Sequence, residues 1–159
     1  MAHPMTTPPT SATSAAPAGS SRLGALAALG PATHALLRIG AGLLFMQHGA
    51  QKLFGLLGGF MGTPGATAPL MSQMGLAGVL EFFGGLLIVL GLFTRPVAFL
   101  LAGEMLVAYL QAHLPQGGFP IQNGGEVPLL FALIWAFLVG NGASPLSVDA
   151  RLNRGRRGL

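Results

Sequence analysis

The chain has 159 residues, of which 52% are hydrophobic and only 8% charged, with four acids against eight Lys and Arg and a mean hydropathy of +0.65. A soluble domain of this size carries roughly 25% charged residues to coat its surface, so a water-soluble exterior is excluded, and the length allows one domain of about four membrane spans of about 20 residues each. The net charge of +4 does not point to nucleic acid, because half of the basic residues (Arg151, Arg154, Arg156 and Arg157) lie at the extreme C-terminus, where anionic headgroups attract them and no aromatic residues interleave.

Residues 1–22 are Ser, Thr, Ala and Pro without apolar periodicity and are expected to be disordered. They do not have the basic segment and short apolar core of a secretory signal. Leu23 to Leu29 is apolar and stops at Gly30-Pro31, which predicts a short interfacial helix. Four apolar runs follow, about Ala35 to Leu57, Ser72 to Phe93, Pro96 to Leu114 and Val127 to Ala143, and predict an all-α integral membrane four-helix bundle. Turn chemistry bounds each of them: Gly58-Gly59 to Pro69, Thr94-Arg95-Pro96, and Gly117 to Gly125. The fourth run is the shortest, and burial by the other three would let it stop short of a full crossing.

The domain plan is thus a disordered or interfacial arm over 1–33, a four-helix transmembrane domain over 34–146 and a basic tail over 147–159. Arg22, Arg95 and the C-terminal arginines fall on one side of four spans, which predicts that both termini are cytoplasmic. No cysteine is present, which excludes disulfides, thiol relays, thiolate-held clusters and Cys zinc sites in this chain.

The informative residues are the polar ones at bilayer depth. Arg38, His48 and Lys52 lie in the first run, Glu81 in the second, Glu104 and His113 in the third, and Glu126 opens the fourth after Asn123-Gly124-Gly125. Each costs about 2.5 to 3.5 kcal/mol at a helix centre, so such groups face the interior and pair. With 1.5 Å of rise per residue, His48 lies about 21 Å from the inner boundary and Glu81 about 13 Å below the outer face of a core about 30 Å thick. His113 and Glu126 come close to the level of Lys52, so His48, Lys52, Glu81, His113, Asn123 and Glu126 are expected to form a polar cluster in the outer leaflet. Arg38 and Glu104 lie lower and are expected to form a structural ion pair.

His48 and Lys52 are i, i+4 neighbours whose common face can look at Glu81. A carboxyl and an imidazole together can pass protons, which suits a site where a quinone changes its redox state. The simpler reading is that Lys52 and His113 snorkel to the headgroups and Glu126 only caps its helix. A haem held between His48 and His113 is the less favoured reading, since lone membrane histidines usually have simpler roles. No metal site and no redox cofactor site is evident, and any quinone would be a bound guest.

The segments Leu37-Arg38-Ile39-Gly40, Phe45 to Phe54 (FMQHGAQKLF), Glu81-Phe82-Phe83-Gly84-Gly85, Gly91-Leu92-Phe93-Thr94-Arg95, Ala102 to Met105, His113, Phe119 with Asn123-Gly124-Gly125-Glu126, and Ser147-Val148-Asp149 together resemble the DoxX family of small four-span bacterial membrane proteins. The resemblance covers about Leu36 to Leu152. It implies a bacterial inner-membrane protein described as an oxidoreductase component, with relatives in thiosulfate:quinone oxidoreductase and terminal quinol oxidase assemblies. The partners expected are the lipid bilayer, a redox partner protein and further copies of the chain, and no nucleic acid. Two functions are carried forward: a quinone-linked membrane component, in which Glu81→Gln weakens ligand binding without unfolding the protein, and a non-enzymatic assembly or scaffolding protein, in which the polar residues only lock the helices together.

Overall fold

The computed structural model describes the backbone of residues 19–156 and the side chains of residues 24–155. The stretch 1–18 of the arm and the last three residues of the tail lie outside the described residues. The chain divides into two units, 1–30 and 31–159. The first contains α1 (Gly19–Ala28), so helix begins at Gly19 rather than at Leu23.

The described residues are helical, with no strand among them. In chain order they form α2 (Gly30–Phe54), α3 (Gln73–Val79), α4 (Gly85–Leu90), α5 (Thr94–Ala108), the short α6 (Pro120–Asn123), α7 (Glu126–Asn141) and α8 (Val148–Arg156). A π-helical turn, Leu80–Gly84, joins α3 to α4, and another, Tyr109–His113, continues α5. Three helical stretches are long and apolar enough to cross a bilayer: Gly24–Phe54, Gln73–Leu90 and Thr94–Gln116. The helix Glu126–Asn141 is apolar but shorter, as expected of the fourth run.

The ends of the helices differ from expectation by a few residues, for local reasons. Gly30-Pro31, read as a stop, starts α2, because the first turn of a helix has no use for the N–H that proline lacks. Ser72 caps α3 by accepting from the Gly75 N–H at 3.1 Å. At its far end α4 stops at Gly91, which adopts φ +66° while the Gly91 and Leu92 N–H groups return to Ile88 and Leu87, both at 3.0 Å. Thr94-Arg95-Pro96, expected as the link, is the first turn of α5. The tail is helical as far as Arg156, and its start is tied down: the Ala150 N–H donates to Ser147 Oγ at 3.1 Å, and the Asp149 carboxylate accepts from the Phe93 and Thr94 N–H groups, each at 2.9 Å.

Two glycine pairs bring α2 against the antiparallel α3–α4. A Cβ on Gly49 would meet the Phe82 backbone nitrogen at 2.4 Å, and one on Gly42 would meet the Gly85 carbonyl at 3.0 Å. From the other side, Gly78 faces the Lys52 stem and Gly85 faces Met46. The pairs repeat at seven residues on both helices, so the contact is a seam along which the backbones touch. On the other side of α2, Phe45, Ile88, Leu101, Phe131, Trp135 and Leu138 form the core where α5 packs most extensively against α7. The Phe45 ring stands 5.0 Å from Phe131 and 5.2 Å from Trp135, tilted or edge to face.

Candidate functional site

The close seam between α2 and α3–α4 carries Lys52 directly to the π turn that holds Glu81. Lys52 Nζ donates to Oε1 at 2.8 Å and Oε2 at 2.6 Å of Glu81, and the side chains are 18% and 6% exposed. The π turn widens the helix by one residue there, a feature that recurs at functional sites.

Beside this pair lies a cavity of about 640 Å³ between the α3 strip and α5. Most of the lining is apolar, including Leu80, Leu100, Met105 and Ala108. Its polar groups are Lys52, Glu81, Glu104, Gln73 and Gln111. Both carboxyl oxygens of Glu104 are screened from solvent and have no hydrogen-bond partner in the structure. Gln73 Nε2 donates to Gln111 Oε1, which links the first residue of α3 to the second π turn. Met74, Leu76, Leu100 and Val107 are exposed at the rim, so the cavity opens onto the outer surface of the apolar helices.

Lys52 and Glu81 thus belong to one site, and the other expected members are placed elsewhere. His48 is exposed and sets its ring edge to face with Phe131 on α7, 6.2 Å away. Its position one turn before Lys52 gives the two residues one side of α2, yet Lys52 reaches to α3–α4 and the imidazole leans toward α7. His113 stacks on Tyr109 at 6.5 Å and its Nδ1 lies 2.9 Å from the Asn123 carbonyl. Asn123 is buried and closes the loop before α7, donating to the Gly117 carbonyl at 2.7 Å and accepting from the Gly125 N–H at 2.8 Å. Glu126 is exposed in the first turn of α7, where a carboxylate complements the helix dipole.

The expected Arg38–Glu104 pair is not formed. Arg38 is 1% exposed, and its Nη1 donates to the carbonyls of Ile88 and, at 2.6 Å, Val89, while Nη2 donates to that of Leu146 at 2.7 Å. At the C-terminal end of α4 the Ile88 carbonyl also accepts from the Gly91 N–H, and the guanidinium adds donors and positive charge there. Glu104 is ten residues beyond the start of α5, about 15 Å of rise away from that end, which leaves it beside Glu81 instead. Gln73 and Gln111 are the site members that sequence reasoning missed, and Glu104, expected as the partner of Arg38, joins the cavity instead. A polar residue on the cavity side of each flanking helix was the available signal, since Gln73 and Gln111 stand near the ends of apolar runs.

A chain whose described residues form helices and no strand, with three apolar helices of spanning length and ionisable groups gathered inside them, is a membrane protein. The family model described as DoxX matches residues 33–114, and the chain belongs to that family. It is 40% identical over 118 residues to an uncharacterized protein of Haemophilus influenzae, a match that covers 72% of this chain and 87% of that protein. No solved structure matches the chain.

Proposed function

We propose that this chain is a four-span, bacterial inner-membrane component of a quinone-linked redox complex, with both termini cytoplasmic. The observation that carries this reading is the cavity between the α3 strip and α5: apolar walls, an opening onto the lipid side, and three ionisable side chains at one place. Its volume of about 640 Å³ falls in the range of small-molecule sites. A bound quinone supplies a two-electron acceptor, and its reduction takes up two protons.

The residues fit such a guest. Lys52 spends two of its three N–H groups on Glu81, which leaves one to donate to a carbonyl oxygen. Glu104, free of partners in the protein, can accept from a quinol hydroxyl or hold a proton for a quinone oxygen. In this reading a partner subunit supplies the electrons and the quinone accepts them.

The Lys52–Glu81 pair also favours a second reading, an assembly or scaffolding protein, because that pair joins α2 to the next helix as a structural clamp does. Organic extraction of detergent-purified wild type and Glu104→Gln protein, followed by assay for quinone, separates the two. Quinone at about one per chain in wild type, reduced at least about tenfold in Glu104→Gln with unchanged folding, supports the redox reading, tenfold being the worth of one charged hydrogen bond. Quinone absent from wild type purified without delipidation supports the scaffold. Glu104 replaces Glu81 as the decisive position, because Glu81→Gln also breaks an ion pair.

A further inference from the structure

A second cavity, of about 670 Å³, lies where α4 turns into α5, α7 ends and α8 begins. Its lining is amphipathic: Phe93, Pro96 and Pro145 stand beside Asn153 and the guanidinium groups of Arg95 and Arg154. Both cations are held in place. Arg95 Nη1 donates to the Val139 carbonyl at 3.0 Å, and Arg154 Nε donates to the Ala150 carbonyl at 3.3 Å. Gly142 makes room for the first of them, since a Cβ there would lie 3.1 Å from Arg95 Nε.

The acid in the lining, Asp149, is already engaged by the Phe93 and Thr94 N–H groups. Two guanidinium groups therefore face the cavity against one carboxylate that is turned to the backbone. Arg95 uses one of its five N–H donors among the described residues, and forked donors suit the two free oxygens of a phosphodiester. Phe93 is 62% exposed at the level where the apolar helices end, which is where the headgroups of a bilayer lie.

We propose that this cavity binds the phosphate of one anionic phospholipid, with Arg95 and Arg154 on the phosphate oxygens and Phe93 against the start of an acyl chain. An anionic lipid fits better than a zwitterionic one because two guanidinium groups stand against the single carboxylate of Asp149, which leaves the lining with a net positive charge. The site depends on the chain being in a membrane and not on what occupies the cavity beside Glu104.

Native mass spectrometry of the full chain in a neutral detergent, titrated with phosphatidylglycerol, phosphatidylcholine or inorganic phosphate, tests the proposal. Wild type is expected to retain one phosphatidylglycerol, and Arg95→Ala or Arg154→Ala to lower that retention by at least about fivefold each, the worth of one basic residue at a charged surface. Arg151→Ala removes an equal charge from the same helix outside the cavity and is expected to change retention by less than about twofold. Equal losses in Arg151→Ala and Arg154→Ala would overturn the proposal in favour of diffuse attraction by the tail. Equal retention of phosphatidylcholine, or displacement of the lipid by an equal concentration of inorganic phosphate, would also overturn it. Should Arg95→Ala fail to fold, Arg154→Ala decides, because Arg154 is exposed and its bonds reach only Ala150 in its own helix and, at 3.5 Å, the Pro145 carbonyl just before it.

Discussion

Lys52 and Arg38 are both cations on one apolar helix, and the chain satisfies them by different chemistry. Lys52 meets a carboxylate, while Arg38 fills the carbonyl end of a neighbouring helix. Removing the guanidinium by Arg38→Met is expected to cost about 2 kcal/mol or more, since the Val89 and Leu146 carbonyls lose their donor at about 1 to 3 kcal/mol for a buried unsatisfied group. Thermal unfolding in detergent would read it. Combining Arg38→Met with Glu104→Gln should give additive losses within about 0.5 kcal/mol, as for independent sites. A larger coupling would restore the ion pair between them.

The two carboxyls beside the cavity are expected to behave oppositely. Glu81→Gln leaves Lys52 without its counter-charge and should destabilise the fold by about 3 kcal/mol or more, in the range for one broken partner of a buried pair. Glu104→Gln replaces a carboxyl that has no protein partner by a neutral amide, so the unfolding midpoint is expected to stay level or rise. The expectation that Glu81→Gln spares the fold thus passes to Glu104. Glu104 was legible as an intramembrane acid, but its place beside the cavity was not, because depth alone cannot say which side of a helix meets which neighbour.

At the scale of elements, glycines divide into those that let helices touch and those that do not. Gly49→Ala drives a methyl into the Phe82 backbone and is expected to cost about 1 to 3 kcal/mol, as overpacking does. Gly40 and Gly103 have open space where a Cβ would go, so alanine there should gain up to about 1 kcal/mol of helix propensity. The same unfolding measurement separates the two sets. A composition with 25 glycines is compatible with close packing anywhere; only the pairing of Gly42 with Gly85 and of Gly49 with Gly78 says where the seam runs.

The helical runs themselves were readable from apolar length, and their ends to within a few residues from Ser72, Phe93 and Pro96. The two π turns were not readable. They insert one residue into otherwise regular helix, and nothing in the hydropathy of Leu80–Gly84 or Tyr109–His113 marks the insertion. Their effect is local but decisive, because they set the flanks from which Glu81 and Gln111 face the cavity.

At the scale of the whole molecule, the proposed four-span topology makes a labelling prediction. The chain has no cysteine, so single replacements report cleanly. Met71, fully exposed between α2 and α3, and Leu152, exposed on α8, are suitable sites. Met71→Cys is expected to react with a membrane-impermeant maleimide in intact cells, and Leu152→Cys only after permeabilisation. Labelling of both positions in intact cells would mean an even number of spans between them and would overturn the four-span topology.

Apolar length, the scarcity of charge and the order of the family's motifs determined, from sequence alone, that this is a helical membrane protein of the DoxX family, because each of these is a property of consecutive residues. Which polar groups share a site was decided by the tertiary structure. Six polar groups at similar depths looked like one cluster, yet depth is a single coordinate. The glycine seam, the guanidinium at the end of α4 and the π turn at Glu81 set the remaining two, and they gathered Lys52, Glu81 and Glu104 in one cavity while turning His48 and His113 toward other partners.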